Sequence, residues 1–338
     1  MNTAELPMIL FTVAAQMCVG MFLVLGVIDL WMSRSHPRAQ VERITEPVAW
    51  AIGPVLVLGL AISTFHMNDI THVFNVLRHV DSSWLSREIW SGTGFAALGF
   101  VHAIMQWMRL GSATVRRVVA GAAALVGLCL VWSMSMIYYT LVTVPAWHTP
   151  IVPIHFFSTT VLLGSLAVAA ALMVTALVRR RALAGMDAGA EGAGAPKKGK
   201  ATFMDRVRAR AMEVNAPTSD TEWTATTDVV RRATLAALVA GVVVLVTYPV
   251  HIANLASGNA TAQASAHVFT GAFFVVRLVL LAVAAVLITL VSYQIAGKAT
   301  LDQPRLLAIW VSAAFVIAVA AELSGRALHY ESMFRVGV

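Results

Sequence analysis

The residues best suited to chemistry in this chain are a histidine and a glutamate at the two ends of one connection. His66 follows the second long apolar stretch, directly after Phe65, and Glu88 stands at the start of the third. Ser83 or Ser86 is positioned to cap that third stretch as a helix, which puts Glu88 in its first turn. Two helices adjacent in sequence then bring an imidazole and a carboxylate to the same membrane level. Such a pair can accept hydrogen bonds from the two hydroxyls of a quinol and carry its protons to water as the ring is oxidised. Each residue also fits a plainer role, Glu88 as a charge at a helix start and His66 as an interfacial histidine, and spacing alone leaves both readings open. Ser83, Trp84 and Arg87 adjoin the pair as further candidate contacts. Arg87 and Arg78 are better matched to loop carboxylates such as Asp81, to lipid headgroups or to a partner.

Eight of the ten histidines fall toward the same end of the expected helices: His66, His72, His79, His148, His155, His251, His267 and His329. Glu88, Glu322 and Arg326 fall there too, whereas His36 and His102 do not. A b-type haem needs two facing axial histidines, for which His155, His251 and His267 are candidates. A second haem toward the other face lacks partners. The plainer reading is histidines bonded to backbone at helix ends. Cys18 and Cys129 lie in separate apolar stretches with no CxxC spacing, so they cannot supply the four ligands of an iron–sulfur cluster. Arg277 sits mid-depth in FFVVRLVLL with nothing obvious to pair with, which suits a buried donor to helix carbonyls.

The elements that must position these residues are membrane helices. The chain is 59% hydrophobic and 12% charged, against roughly 25% charged for a soluble domain. About 20 apolar residues span the hydrocarbon, and eight such stretches occur, near 6–32, 47–65, 87–110, 115–141, 150–178, 229–255, 266–296 and 304–326. Period-two patterning is absent, so the expectation is an all-α integral membrane protein, a bundle of about eight transmembrane helices forming a single domain over 1–338. The opening MNTAELPMILF carries Glu5 and no basic cluster, so the first stretch reads as a retained helix rather than a cleaved signal.

Of the 24 lysines and arginines, 19 fall in the first, third, fifth and seventh connections and their flanks. Only Arg78, Arg87, Arg326 and Arg335 fall on the other side, with Arg277 inside a span. Basic loops face the cytoplasm, so both termini are expected outside it. The same rule accounts for the net charge of +7 without a nucleic-acid surface. Segment 179–228, with AGMDAGAEGAGAPKKGK, reads as a flexible basic cytoplasmic loop, in which 201–214 has the pattern of a short amphipathic surface helix.

SWLSREI (Ser83–Ile89) resembles the hallmark of the membrane anchor subunits of bacterial dimethyl sulfoxide reductases. ELPMILFTVAAQMCVGMFLVLG (Glu5–Gly26) is similar to that family's opening helix, ELSGRALHYESMFRVGV (Glu322–Val338) to its closing helix and tail, and Phe65-His66 also fits. The resemblance extends over the whole sequence except about 179–228. One departure is that His66 is followed by Met67-Asn68-Asp69-Ile70 rather than by the family's Leu-Gly.

The resemblance implies an inner-membrane anchor with no haem, iron–sulfur cluster or metal of its own. Such an anchor works with an iron–sulfur subunit and a molybdenum-cofactor catalytic subunit, and binds menaquinol at the positions matching His66 and Glu88. Electrons would pass to the iron–sulfur partner at the periplasmic face. A related anchor carrying electrons from a periplasmic donor to quinone uses the same chemistry in reverse. A b-type cytochrome and a transporter are the remaining readings; a transporter calls for broken helices or charges near the midplane.

Overall fold

The computed structural model describes residues 5–63, 79–189, 209 and 212–337. The protein is built from α1 (Leu6–Met32), α2 (Arg38–Ser63), α3 (Trp84–Trp107), α4 (Ala113–Tyr139), α5 (Ile151–Gly189), α6 (Asp220–Ala256), α7 (Ala260–Val268), α8 (Ala272–Ala282), a π-helical segment Val283–Ile288, α9 (Thr289–Ala296) and α10 (Arg305–Glu331). There is no strand among the described residues.

Local chemistry marks the helix starts. Pro7 sits in the first turn of α1, where its missing N–H costs nothing. Ser83 caps α3, its Oγ accepting from Ser86 N, and Ser112 caps α4 in the same way through Val115 N. Ser219 and Glu222 form a reciprocal capping box at the start of α6.

Among the described residues, six helical runs are long and apolar enough to cross a membrane: α1, α4, the Ile151–Arg181 part of α5, α6, the Ala272–Ala296 rod of α8, π segment and α9, and α10. The other two expected spans, α2 and α3, are of membrane length at 26 and 24 residues but are not among the six. Arg38, Glu42, Arg43 and Glu46 occupy the first turns of α2, and Ser91, Thr93, His102 and Gln106 dilute α3.

The expected span 266–296 is not continuous. The helix stops at Val268, Phe269–Gly271 form a turn, and α8 starts at Ala272. Gly271 opens α8 with an extended backbone that α7 could not continue through. The π segment packs on α6 at Gly241, where an added Cβ would lie 2.2 Å from the Ala285 Cβ. Elsewhere α1 crosses α5 with backbones in contact, an added Cβ on Gly20 lying 1.9 Å from the Thr160 carbonyl oxygen.

Segment 179–228 is helical at both ends, since α5 runs to Gly189 and α6 begins at Asp220. The approach to α6 is also tied down. Arg43 donates to the carbonyls of Glu213, Ala216 and Pro217 and pairs with Glu222 at 2.6 Å. Arg179 donates to the carbonyls of Val214 and Arg43. Most of the expected amphipathic segment 201–214 lies outside the described residues, and 212–214 are helical. At the same end Asp29 pairs with Arg38 and Arg117, and Glu42 with Arg38, Arg109 and Arg116. Six of the basic residues counted in sequence, Arg38, Arg43, Arg109, Arg116, Arg117 and Arg179, are thus tied to carboxylates or carbonyls.

Candidate functional site

His66 lies outside the described residues. Glu88 is half-buried on α3, at the fifth helical position rather than in the first turn, because the helix begins at Trp84. That position takes it beyond the orphan N–H groups of the helix end, so a simple capping role does not account for it. Its neighbours have local duties. Ser83 is the N-cap. Arg87 donates to the carbonyls of Val80 and Asp81, both at 2.7 Å, rather than to the Asp81 carboxylate, and its guanidinium lies 4.2 Å from the Trp84 ring centroid. Trp84, Arg87 and Ser91 also line an open trough of about 780 Å³, with Trp132 and Phe157 on its other walls.

At the same end of the bundle as the start of α3 stand Tyr138 and Tyr330. These two phenols, from the ends of α4 and α10, share a hydrogen bond of 2.7 Å between their hydroxyls. Trp147 lies against them and stacks on His329 at 5.1 Å while its Nε1 donates to the His329 carbonyl.

Beyond the phenols lies a buried polar cluster drawn from α5, α6, α8 and α10 around a cavity of about 40 Å³. Glu322 accepts from Thr159 Oγ1 at 2.5 Å and from Arg277 Nη2 at 3.3 Å. Arg277 is therefore paired with a carboxylate, not with helix carbonyls. Its guanidinium also lies 4.6 Å from the Tyr248 centroid and fills the space left by Gly325, where a Cβ would be 2.7 Å from Nε. Arg326 Nη2 donates to Gln16 Oε1 at 3.0 Å, and its guanidinium stacks on Phe156. His155 Nε2 shares a hydrogen bond of 2.7 Å with Thr247, and His251 sits edge-on to Phe269. His267 and His148 are exposed.

The structure thus gathers His155, His251, Glu322, Arg326 and His329, all assigned to one end from sequence, and adds Arg277, Gln16, Tyr138, Tyr248 and Tyr330. Glu322 and Arg326 stand at i and i+4 in an apolar helix, which places both on one face. That was the available signal that a buried cation such as Arg277 had a partner.

The fold and these buried charges define a multi-pass helical membrane protein. The model of the DMSO reductase anchor subunit family matches residues 1–331, and the chain belongs to that family.

The relatives include the C subunit of the anaerobic dimethyl sulfoxide reductase of Escherichia coli (strain K12), 29% identical over 162 residues, which are 48% of this protein and 55% of the relative. The subunit of the same name from Haemophilus influenzae is 32% identical over 179 residues, 52% of this protein and 61% of the relative. The chain therefore spans somewhat over half the length of the curated relatives it matches. Among solved structures, bd oxidase from Geobacillus thermodenitrificans contains a polypeptide that aligns with a TM-score of 0.58 and 9% identity, over 97% of this protein and 84% of that one. That likeness is one of fold.

Proposed function

We propose that this protein is the quinol-oxidising anchor of a reductase complex in the bacterial inner membrane. Eight spans cross the membrane with both termini outside the cytoplasm, in a single domain whose 179–228 connection faces the cytoplasm. Menaquinol approaches from the lipid by the trough at α3 and is oxidised between His66 and Glu88. Its electrons pass to an iron–sulfur subunit, and from there to a molybdenum-cofactor catalytic subunit. The anchor holds no haem, iron–sulfur cluster or other metal. His66 accepts a hydrogen bond from one hydroxyl and takes its proton as the ring is oxidised; Glu88 takes the other proton outward. Protons leave on the side where the electrons leave, so the anchor moves no net charge across the membrane.

The observation that carries this reading is Glu88 itself. It is a half-buried carboxylate set in a helix beyond the cap, and its helix neighbours Trp84, Arg87 and Ser91 line an open trough. The test is to make His66→Ala and Glu88→Gln separately in the assembled complex. Turnover with a quinol analogue should fall by at least ~10²-fold, the scale for losing an acid–base group. Turnover with a dye that reduces the catalytic subunits directly should persist. Normal quinol turnover in both variants would move the site to the cluster around His155 and His251.

A further inference from the structure

We propose that the cavity bounded by Arg277, Glu322, Arg326 and His329 is a binding site for a small monovalent anion of the halide class, with chloride as its occupant. The cluster is one that the reading of His66 and Glu88 leaves unused, and the anion site does not depend on that reading.

The first argument is charge. The ionisable lining of the cavity is Arg277, Arg326, Glu322, three histidines and Tyr248. Two arginines face one glutamate, so with the imidazoles and the phenol neutral one positive charge is left over. Protonating any of the imidazoles only adds to it. Arg277 and Arg326 are 2% and 6% exposed, so bulk water does not screen the excess. An uncompensated charge among apolar membrane helices is costly and calls for a counter-charge. One monovalent anion brings the chamber to neutrality, whereas a divalent oxyanion would leave it negative.

The second argument is hydrogen bonding. Glu322 already accepts from Thr159 and from Arg277 Nη2, and Arg326 Nη2 already donates to Gln16. Among the described residues, Arg277 Nε and Nη1, Arg326 Nε and His329 Nε2 meet no hydrogen-bond partner. Buried polar groups are nearly always satisfied, and a cationic donor left unmade costs the most. Water can accept from these donors but carries no charge. A monoatomic anion accepts from several directions at once and answers both deficits. The cavity of about 40 Å³ has room for about three waters at roughly 10–15 Å³ each, and so for one halide with a water or two. His251 lines this cavity and also a shallow surface depression with His148 and Asn254, which gives the anion a way in. Once bound, the anion joins Arg277 of α8 to Arg326 of α10, two cations that otherwise repel.

The test is a melting series on the detergent-solubilised complex at constant ionic strength. Sodium gluconate, whose anion is too large for the cavity, is replaced stepwise by sodium chloride or bromide. The midpoint should rise by a few degrees and then saturate, because the halide binds the folded form alone. Arg326→Gln removes the excess charge and should abolish the saturable rise. Glu322→Gln enlarges the excess and, where it assembles, should reach half-saturation at lower halide. Arg335→Gln, at an exposed arginine of the tail, should respond as the natural protein does. Equal midpoints in gluconate and halide overturn the site, and so does an undiminished saturable rise in Arg326→Gln. Where Arg326→Gln does not assemble, anomalous scattering from crystals of the unaltered complex in bromide decides. A bromine peak among Arg277, Arg326 and His329 supports the site, and water alone at that place overturns it.

Discussion

Arg277 on α8 donates to Glu322 on α10 at 3.3 Å, in a place where the two side chains are 2% and 5% exposed. A charge in the apolar part of a membrane helix is costly and is retained facing a partner inside the bundle. Removing either member leaves the other buried and uncompensated, at a cost of about 3–5 kcal/mol. Arg277→Ala and Glu322→Ala should each lower the thermal unfolding midpoint of the detergent-solubilised complex, and the double change Arg277→Met with Glu322→Leu should recover most of the loss. If the double variant is as unstable as the sum of the singles, the pair is not acting as a unit.

The crossing of α1 and α5 should be as sensitive as the ion pair, for a steric reason. A Cβ on Gly164 would lie 2.3 Å from the Gly20 carbonyl carbon, and the obstacle is backbone that cannot swing aside. Overpacking of this kind costs about 1–3 kcal/mol or more. Gly26 on the same α1 has nothing within 4 Å of an added Cβ. Gly164→Ala should therefore melt well below Gly26→Ala in the same preparation. Equal melting of the two would show that the helices separate freely at the crossing.

The sequence disclosed the helices because apolar length is a one-dimensional property. The cores of α1, α4, α5, α6 and α10 fall within a few residues of the expected stretches. The turn at Phe269–Gly271 and the π segment escaped because both lie in an unbroken apolar run, where hydropathy does not change as the backbone does. The Arg277–Glu322 pair escaped because its members are 45 residues apart on two helices, and only packing brings them together. Glu88 was legible as a candidate, but its place in the second turn depends on whether Ser83 or Ser86 caps the helix, and both fit the pattern. The paired phenols Tyr138 and Tyr330 gave no signal, since a tyrosine at a membrane helix end is ordinarily interfacial.

Sidedness can be read with reporter fusions. The charge asymmetry predicts Ala190 in the cytoplasm and Asn75 and Arg335 outside it. The fold adds a constraint: Val336 N donates to the Thr143 carbonyl at 2.9 Å, so the tail and the connection between α4 and α5 share one side. A fusion after Arg335 should therefore report the same side as one at Thr143. Opposite reports would contradict the packing, and a cytoplasmic report from both would reverse the orientation.

Glu42 offers a test by pH. It is buried ahead of the apolar part of α2 and accepts from Arg38 Nε at 3.1 Å, from Arg116 Nη2 at 2.8 Å, and from Arg109. Burial pushes its carboxyl up, but the hydrogen bond from Arg116 and the charges of Arg116, Arg109 and Arg38 outweigh it and hold the carboxyl below its ordinary value of 4.5. The unfolded protein therefore takes up this proton at a higher pH than the folded one. The stabilisation is complete above the ordinary value and is lost as pH falls through the lower folded value. Glu42→Gln leaves Arg116 buried with a weaker acceptor, and partial exposure of Arg38 and Arg109 softens the loss, so a cost of about 2–3 kcal/mol is expected at pH 7. The gap in melting temperature between the natural protein and Glu42→Gln should stay constant from pH 8 to about 5.5 and close only below about pH 4.5. A gap that closes by pH 6 would show that the three arginines do not hold the carboxylate down.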